Sequence, residues 1–221
     1  GLLPVPVRYY AAHTGRWGGD DKINLQNLPS RGPNGKKLKS SIVAPEGYSL
    51  IDCDSSQIEA RVLAWLAGQD DLTNAFAKGD DVYKHMASSI YNVPSDGVSK
   101  DQRFVGKTTI LGAGYGMGAV KFQLQLQGMG VYIELDEARR IIDIYRSTNG
   151  AISQLWREAN NMVQYMARGD SVQFGKEGVL QVDARKNAIM LPSGLPMFYH
   201  GLAAEKSERG YEYTYRTRKG P

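Results

Sequence analysis

Apolar residues recur at helical spacing through the middle of this chain and in short extended runs towards its ends. In "SQIEARVLAWLAG" the positions Ile58, Val62, Trp65 and Leu66 fall about one helical turn apart, which predicts a helix. The run before it, "YSLIDCD" from Tyr48 to Asp54, has the length and apolar content of a short buried strand and would deliver Asp54 to the mouth of that helix. Asp80 to Tyr91 opens on two acids, which suit the positive end of a helix, and "VPSDGVSKDQ" breaks the chain before the next helix. Leu135 to Arg146 and Ile152 to Arg168 predict two amphipathic helices separated by "STNGA". Beyond Gly169 the runs are short and extended, and Tyr211, Tyr213 and Tyr215 alternate against Glu212, Thr214 and Arg216 as in a hairpin. Up to about Ser40 the text is rich in Gly, Pro, Asn and Lys, which predicts turns and short strands. The pattern is that of an α+β protein with a helical middle.

The stretch "RFVGKTTILGAGYGMG", Arg103 to Gly118, admits three readings. Gly106, Lys107 and Thr108 end like a phosphate-binding loop, but that motif needs a glycine five positions earlier, where Asp101 stands. A dinucleotide turn would need glycines at 112, 114 and 117 after an apolar strand; residue 117 is Met117, and Arg103 and Lys107 precede. A helix fits, because Arg103, Lys107, Leu111 and Tyr115 recur every fourth residue and each such step turns only about 40° around the axis. Their shared face carries two cations, an apolar side chain and an aromatic ring. It suits phosphates at one end and a base or sugar at the other, or else simply a solvated basic surface.

Composition narrows the partners. The chain has 221 residues and a formal charge of +4, with a sequence pI of about 9.0; this mild basicity permits nucleic acid as a partner without requiring it. The single cysteine, Cys53, excludes an internal disulfide and a four-cysteine zinc site and agrees with a reducing, cytoplasmic setting. No stretch is long and apolar enough to predict a membrane span. In "DCDSSQIEAR" a carboxylate at a strand end, Asp54, beside the carbonyl of Ser55 offers hard oxygen ligands suited to Mg²⁺, whereas the plainer reading is that Asp54 caps the following helix. The text begins on "GLLPVPVRYY" without an initiator methionine and stops after an alternating run, so it reads as a fragment of a longer protein.

"DSSQIEAR" resembles motif A of the bacterial DNA polymerase I family (family A), D-x-S-Q-I-E-x-R, and "RFVGKTTILGAGYG" resembles its motif B, R-x3-K-x7-Y-G. Upstream, "HTGRW" and "INLQNLPSR" resemble the T-G-R and N-L-Q-N-[IL]-P-x-R segments of the same family, in the same order. The stretch from Tyr48 to Gly118 is worded more like a bacteriophage member than a bacterial one. The resemblance implies a palm portion with short strands over residues 1–60, then a mainly helical fingers domain with a terminal β-hairpin region over residues 61–221. It implies a template-directed enzyme that adds dNTPs to a primer 3′-end, with primer-template DNA, dNTPs and Mg²⁺ as partners and phosphoryl transfer at two metals.

Carried over by position, the resemblance makes Asp54 a catalytic metal ligand, with the Ser55 carbonyl completing that half of the site. Arg103 and Lys107 would grip the β- and γ-phosphates. Gln57, Glu59, Leu111 and Tyr115 would line the dNTP pocket, Glu59 as the steric gate against a ribose 2′-hydroxyl and Tyr115 beside the nascent base pair. Gly112, Gly114 and Gly116 would make a slim helix end able to pivot. Arg31 would lie near the incoming phosphates, Arg16 at the primer-end minor groove, and Asn24, Gln26 and Asn27 along the duplex; turn chemistry is the plainer reading of these loop residues. The chain departs from the pattern at Leu111, where the family has Phe or Tyr, and at Tyr83, where a pocket His is common. No "HD" or "HDE" occurs, so motif C is absent, and a C-terminal palm portion would have to supply the other side of the metal site. The chain alone is therefore expected to be inactive. The rival reading is a non-catalytic module that grips single-stranded nucleic acid.

Overall fold

The structure, a computed structural model, describes residues 3–12, 15–29, 32–51, 53–208 and 210–216, so Arg31 and the first two residues of "HTGRW" lie outside the described residues. The chain divides into two compact units: Gly1–Ser55 together with Met197–Pro221, and Ser56–Pro196.

Glycine-rich text at the start of the chain gives little regular structure, as loop-forming composition should. A two-residue antiparallel pair joins β1 (Val7–Arg8) to β2 (Gly18–Gly19), with Val7 opposite Gly19. A short 3₁₀ turn covers Leu25–Asn27, and helix α1 spans Gly32–Ser40, an element that the Gly, Pro and Lys content did not announce. The strand expected over Tyr48 to Asp54 is not formed among the described residues of that run. Tyr48, Leu50 and Ile51 are 76%, 68% and 85% exposed. An apolar run becomes a strand only when a neighbouring strand takes up its backbone donors and acceptors, and among the described residues none lies beside this one.

The unit Ser56–Pro196 is helical because its text has caps as well as periodicity. Helix α2 (Ile58–Ala67) follows Gln57 in the left-handed conformation and ends at Gly68, also left-handed. Helix α3 (Asp70–Lys78) closes at Gly79 in the same way. Asp81 caps α4 (Val82–Tyr91) by accepting the Lys84 N–H, and a reciprocal capping box of Ser99 and Gln102 starts α5 (Lys100–Gly114). Helices α6 (Ala119–Gly128), α7 (Leu135–Thr148) and α8 (Gly150–Arg168) complete the set. A small antiparallel sheet follows, β3 (Gln173–Phe174), β4 (Leu180–Asp183) and β5 (Ala188–Met190), with Phe174 opposite Leu180 and Val182 opposite Ile189.

The core of this unit gathers Val105, Ile110, Phe122, Leu126, Ile141 and Tyr145 with the buried face of α4. Tyr145 is almost fully buried and stacks on Trp156 of α8 with ring centroids 6.2 Å apart. Gln69 pins two turns together: its side chain accepts from the Ala151 N–H at 3.0 Å and donates to Asp71 at 2.7 Å. In α2 the apolar stripe seen in the sequence turns outward, with Ile58, Val62 and Trp65 at 49%, 43% and 44% exposure. Its buried face is Ala60 and Ala64, whose small side chains let the helix lie close to its neighbours. Strand β6 (Pro196–Phe198) stands at the boundary of the units, and β7 (His200–Ser207) pairs with β8 (Gly210–Arg216) in the hairpin that the alternating tyrosines predicted.

No helix among the described residues is long and apolar enough to cross a membrane. Mixed helices and small sheets make the chain α+β.

Candidate functional site

Helix α5 presents Arg103, Lys107 and Leu111 half-buried along one side and ends at the exposed Tyr115, its C-cap. What seats the helix is the glycine of the supposed phosphate loop. A Cβ at Gly106 would run into the Tyr83 carbonyl oxygen and lie 3.0 Å from the Ala87 amide nitrogen, so only glycine lets α5 pack this closely on α4. Next to it Thr108 and Thr109 return their hydroxyls to the carbonyls of Phe104 and Val105 at 3.0 and 2.8 Å, so both are satisfied inside the helix. Of the three later glycines, Gly116 needs its residue type for backbone reasons, with φ of 72°. Gly112 and Gly114 would meet neighbours only at ordinary contact distance.

The close approach brings two cations against one ring. The Arg103 guanidinium lies 5.3 Å and the Lys107 ammonium 5.9 Å from the centre of the Tyr83 ring. Arg103 donates its Nε–H to Asp81 Oδ2 at 2.6 Å. Burial works to raise the Asp81 carboxyl, but the Arg103 hydrogen bond, the Lys84 amide and the guanidinium charge together hold it below its ordinary value. Burial pushes the Tyr83 phenol up, against the opposing pull of Arg103 and a hydrogen bond with the Gln57 side chain, so the hydroxyl stays neutral.

At the other end of the helix, the Tyr115 hydroxyl donates to Glu59 Oε2. Leu111, Glu59 and Tyr115 line a cavity of about 130 Å³ whose remaining walls are apolar, among them Leu63, Leu72 and Ile152. Glu59 and Gln57 are held by a turn that Arg61 staples. Its Nε donates to the Ser56 carbonyl at 2.9 Å, its terminal nitrogen to the Phe76 carbonyl at 3.3 Å, and its guanidinium lies 4.6 Å over the Phe76 ring. Gln57 occupies a left-handed conformation, φ 57° and ψ 28°, which a non-glycine residue holds only when its surroundings fix it.

The structure therefore brings Gln57, Tyr83, Arg103 and Lys107 together towards the start of α5, and Glu59 of α2 together with Leu111 and Tyr115 towards its end. Two residues of these clusters were not singled out by the sequence: Asp81, read only as an acid at a helix start, and Arg61, quoted within its motif without a role. A carboxylate at the first turn of α4 was a signal for a cap; its second partner, 22 positions along, left no trace in the local pattern.

In the other unit, Asp54 and Ser55 are exposed at the end of the Gly1–Ser55 segment. A carboxylate next to a backbone carbonyl is a hard-oxygen pair that fits one side of a Mg²⁺ site. Among the described residues no group of three or more His, Cys, Asp or Glu side chains comes together to complete it. Arg16, Asn24, Gln26 and Asn27 are exposed around β2 and the 3₁₀ turn that follows, where Asn24 stands at the N-cap without a side-chain cap bond. Arg31 falls outside the described residues.

Comparison with known proteins adds an independent observation. The model of DNA polymerase family A matches residues 7–177. DNA polymerase I of Pseudomonas aeruginosa is 40% identical over 145 residues, covering 66% of this chain and 15% of that protein. The thermostable DNA polymerase I of Thermus aquaticus is 38% identical over 145 residues, 66% of this chain and 17% of its own length. This chain thus spans about a sixth of these relatives. Among solved structures, the POL domain of Pol1 from M. smegmatis in complex with DNA primer-template and dNTP is similar with a TM-score of 0.61 and 29% identity, over 79% of this chain and 30% of that one.

Proposed function

Because this chain belongs to DNA polymerase family A, we propose that it supplies part of a template-directed DNA polymerase, one that adds dNTPs to a primer 3′-end in the cytoplasm. In this reading residues up to about 60 are the motif A edge of a palm and those from 61 onward belong to the fingers. The observation that carries the reading is the pair of half-exposed cations, Arg103 and Lys107, set one helical turn apart against the Tyr83 ring. A triphosphate needs this arrangement: charge-assisted donors spaced along one face, held so that little order is lost on binding.

Each residue then has a task. Arg103 and Lys107 hold the β- and γ-phosphates and the charge that builds on the leaving pyrophosphate. The neutral Tyr83 hydroxyl would donate to the same anion. Glu59, hydrogen-bonded to Tyr115, fills the space a ribose 2′-hydroxyl would require, and Leu111 packs towards the sugar. Asp54 and the Ser55 carbonyl would hold Mg²⁺, which when bound lends positive charge to the reacting phosphate and the attacking 3′-hydroxyl. Arg16, Arg31, Asn24, Gln26 and Asn27 would follow the primer-template. A further palm portion supplies the opposite metal ligands.

The test is Lys107→Ala in the complete polymerase. We expect the dNTP dissociation constant to rise about ten- to a hundredfold, the scale of roughly 1.5 to 3 kcal/mol for a charge-assisted phosphate contact, with primer-template affinity nearly constant. Weaker primer-template binding with unaltered dNTP kinetics would instead favour a surface that only grips nucleic acid, and in that case Asp54→Ala would leave every activity intact.

A further inference from the structure

Asp81 has two carboxylate oxygens and gives them to two different helices. Oδ1 accepts the Lys84 N–H at 3.2 Å and so caps α4. Oδ2 accepts from Arg103 Nε at 2.6 Å and so reaches α5. A cap uses one oxygen, which leaves the second bond without a role in starting the helix. That bond also takes a particular edge of the guanidinium. It engages Nε, on the side of the aliphatic stem, and leaves the fork of two terminal nitrogens for another anion.

The surroundings fix the direction in which the fork points. Tyr83 is 5% exposed and forms a floor 5.3 Å beneath the Arg103 guanidinium. Arg103 and Asp81 side chains remain 39% and 33% exposed, so an anion from solvent can reach the free nitrogens. An unanchored arginine has many rotamers and loses that freedom when it grips a ligand; one held at Nε and laid on a ring has surrendered most of it beforehand. We infer that Asp81 is a positioning residue for triphosphate binding, acting through Arg103. The inference rests on the proposed grip of Arg103 on phosphate. Asp81 itself, being an anion, touches no phosphate; its contribution is to hold the guanidinium in register with the ligand.

Asp81→Asn in the complete polymerase separates the two jobs, because the single Oδ of asparagine can keep the Lys84 cap while its amide NH₂ cannot accept from Arg103. The dNTP dissociation constant, taken from the concentration dependence of single-turnover incorporation, should rise roughly three- to tenfold, the scale of a charge-assisted bond partly screened by water. Primer-template affinity and melting temperature should stay close to those of the parent. In an Arg103→Ala background the same change should add nothing, since its effect passes through the guanidinium. An unchanged or tighter dNTP constant in Asp81→Asn, beside a weakened one in Arg103→Ala, would overturn the positioning role and leave the phosphate grip standing. An Arg103→Ala variant with normal dNTP binding would remove the grip, and the inference with it. Should Asp81→Asn melt early, Asp81→Ser, which also caps a helix, carries the same comparison.

Discussion

Leu111 sits at the edge of the cavity it shares with Glu59 and Tyr115, and that placement changes what a substitution there means. A leucine on a helix is ordinarily core, and a ring in its place would overpack by about 1 to 3 kcal/mol. Here the cavity of about 130 Å³ beside it leaves room for the extra atoms of an aromatic side chain. Leu111→Phe and Leu111→Tyr are therefore expected to melt within a few degrees of the parent in the complete polymerase. Leu111→Tyr should also accept dideoxynucleotides more readily, because its hydroxyl would come to lie beside the incoming sugar, and Leu111→Phe should lack that gain. Dideoxy selectivity and melting temperature, measured together for both variants, check this; lowered stability with constant selectivity would make Leu111 a packing residue and nothing more. Tyr83 makes a related point. Its buried, neutral phenol can donate a hydrogen bond at any physiological pH, without the titration near neutrality that an imidazole in its place would bring.

Helices α4 and α5 behave as one element because of a missing methyl group. Gly106→Ala would drive a Cβ into the Tyr83 carbonyl, a backbone atom that cannot step aside without moving α4. The expected cost is about 1 to 3 kcal/mol, against the few tenths to one kcal/mol gained when alanine replaces glycine in an unobstructed helix. Chemical denaturation of the variant measures it, and a stabilised Gly106→Ala would show that the helices do not meet as described. This contact also explains what the sequence could and could not yield. The helix itself was legible, since Arg103, Lys107, Leu111 and Tyr115 keep a four-residue step; so were α7, α8 and the terminal hairpin, each marked by a local period. The same text hid the reason for Gly106, because a close approach depends on a second helix some twenty residues away. It likewise hid Asp81's bond to Arg103 and the direction in which α2 turns its apolar stripe. The run from Tyr48 to Asp54 failed as a strand for a similar reason: strand formation is a property of a pair, and its text described one member. Among the site residues, those within two short motifs and Tyr83 could be named from the string; Asp81, the cap of α4, could not.

At the scale of the molecule, the carboxylate and carbonyl of Asp54 and Ser55 belong to one unit and the cationic face of α5 to the other. Only one side of a metal cage can be found among the described residues. This chain alone is expected to extend no primer with any dNTP and Mg²⁺, as gel analysis of a labelled primer will show. Template-dependent incorporation by the purified chain would mean that the missing ligands are not needed. The three tryptophans divide along the same lines. Trp17 is 53% exposed in the unit that begins the chain, Trp65 is 44% exposed on the outward stripe of α2, and Trp156 lies against the core with its ring on the sealed Tyr145. Light absorbed by Tyr145 passes readily to a ring stacked so near, and water and added quenchers reach the partly buried Trp156 less readily than Trp17 or Trp65. Trp156 is thus a built-in lamp for the helical unit, bluer than the other two and the last to dim under acrylamide, so that the melting of this unit can be followed without labelling the protein.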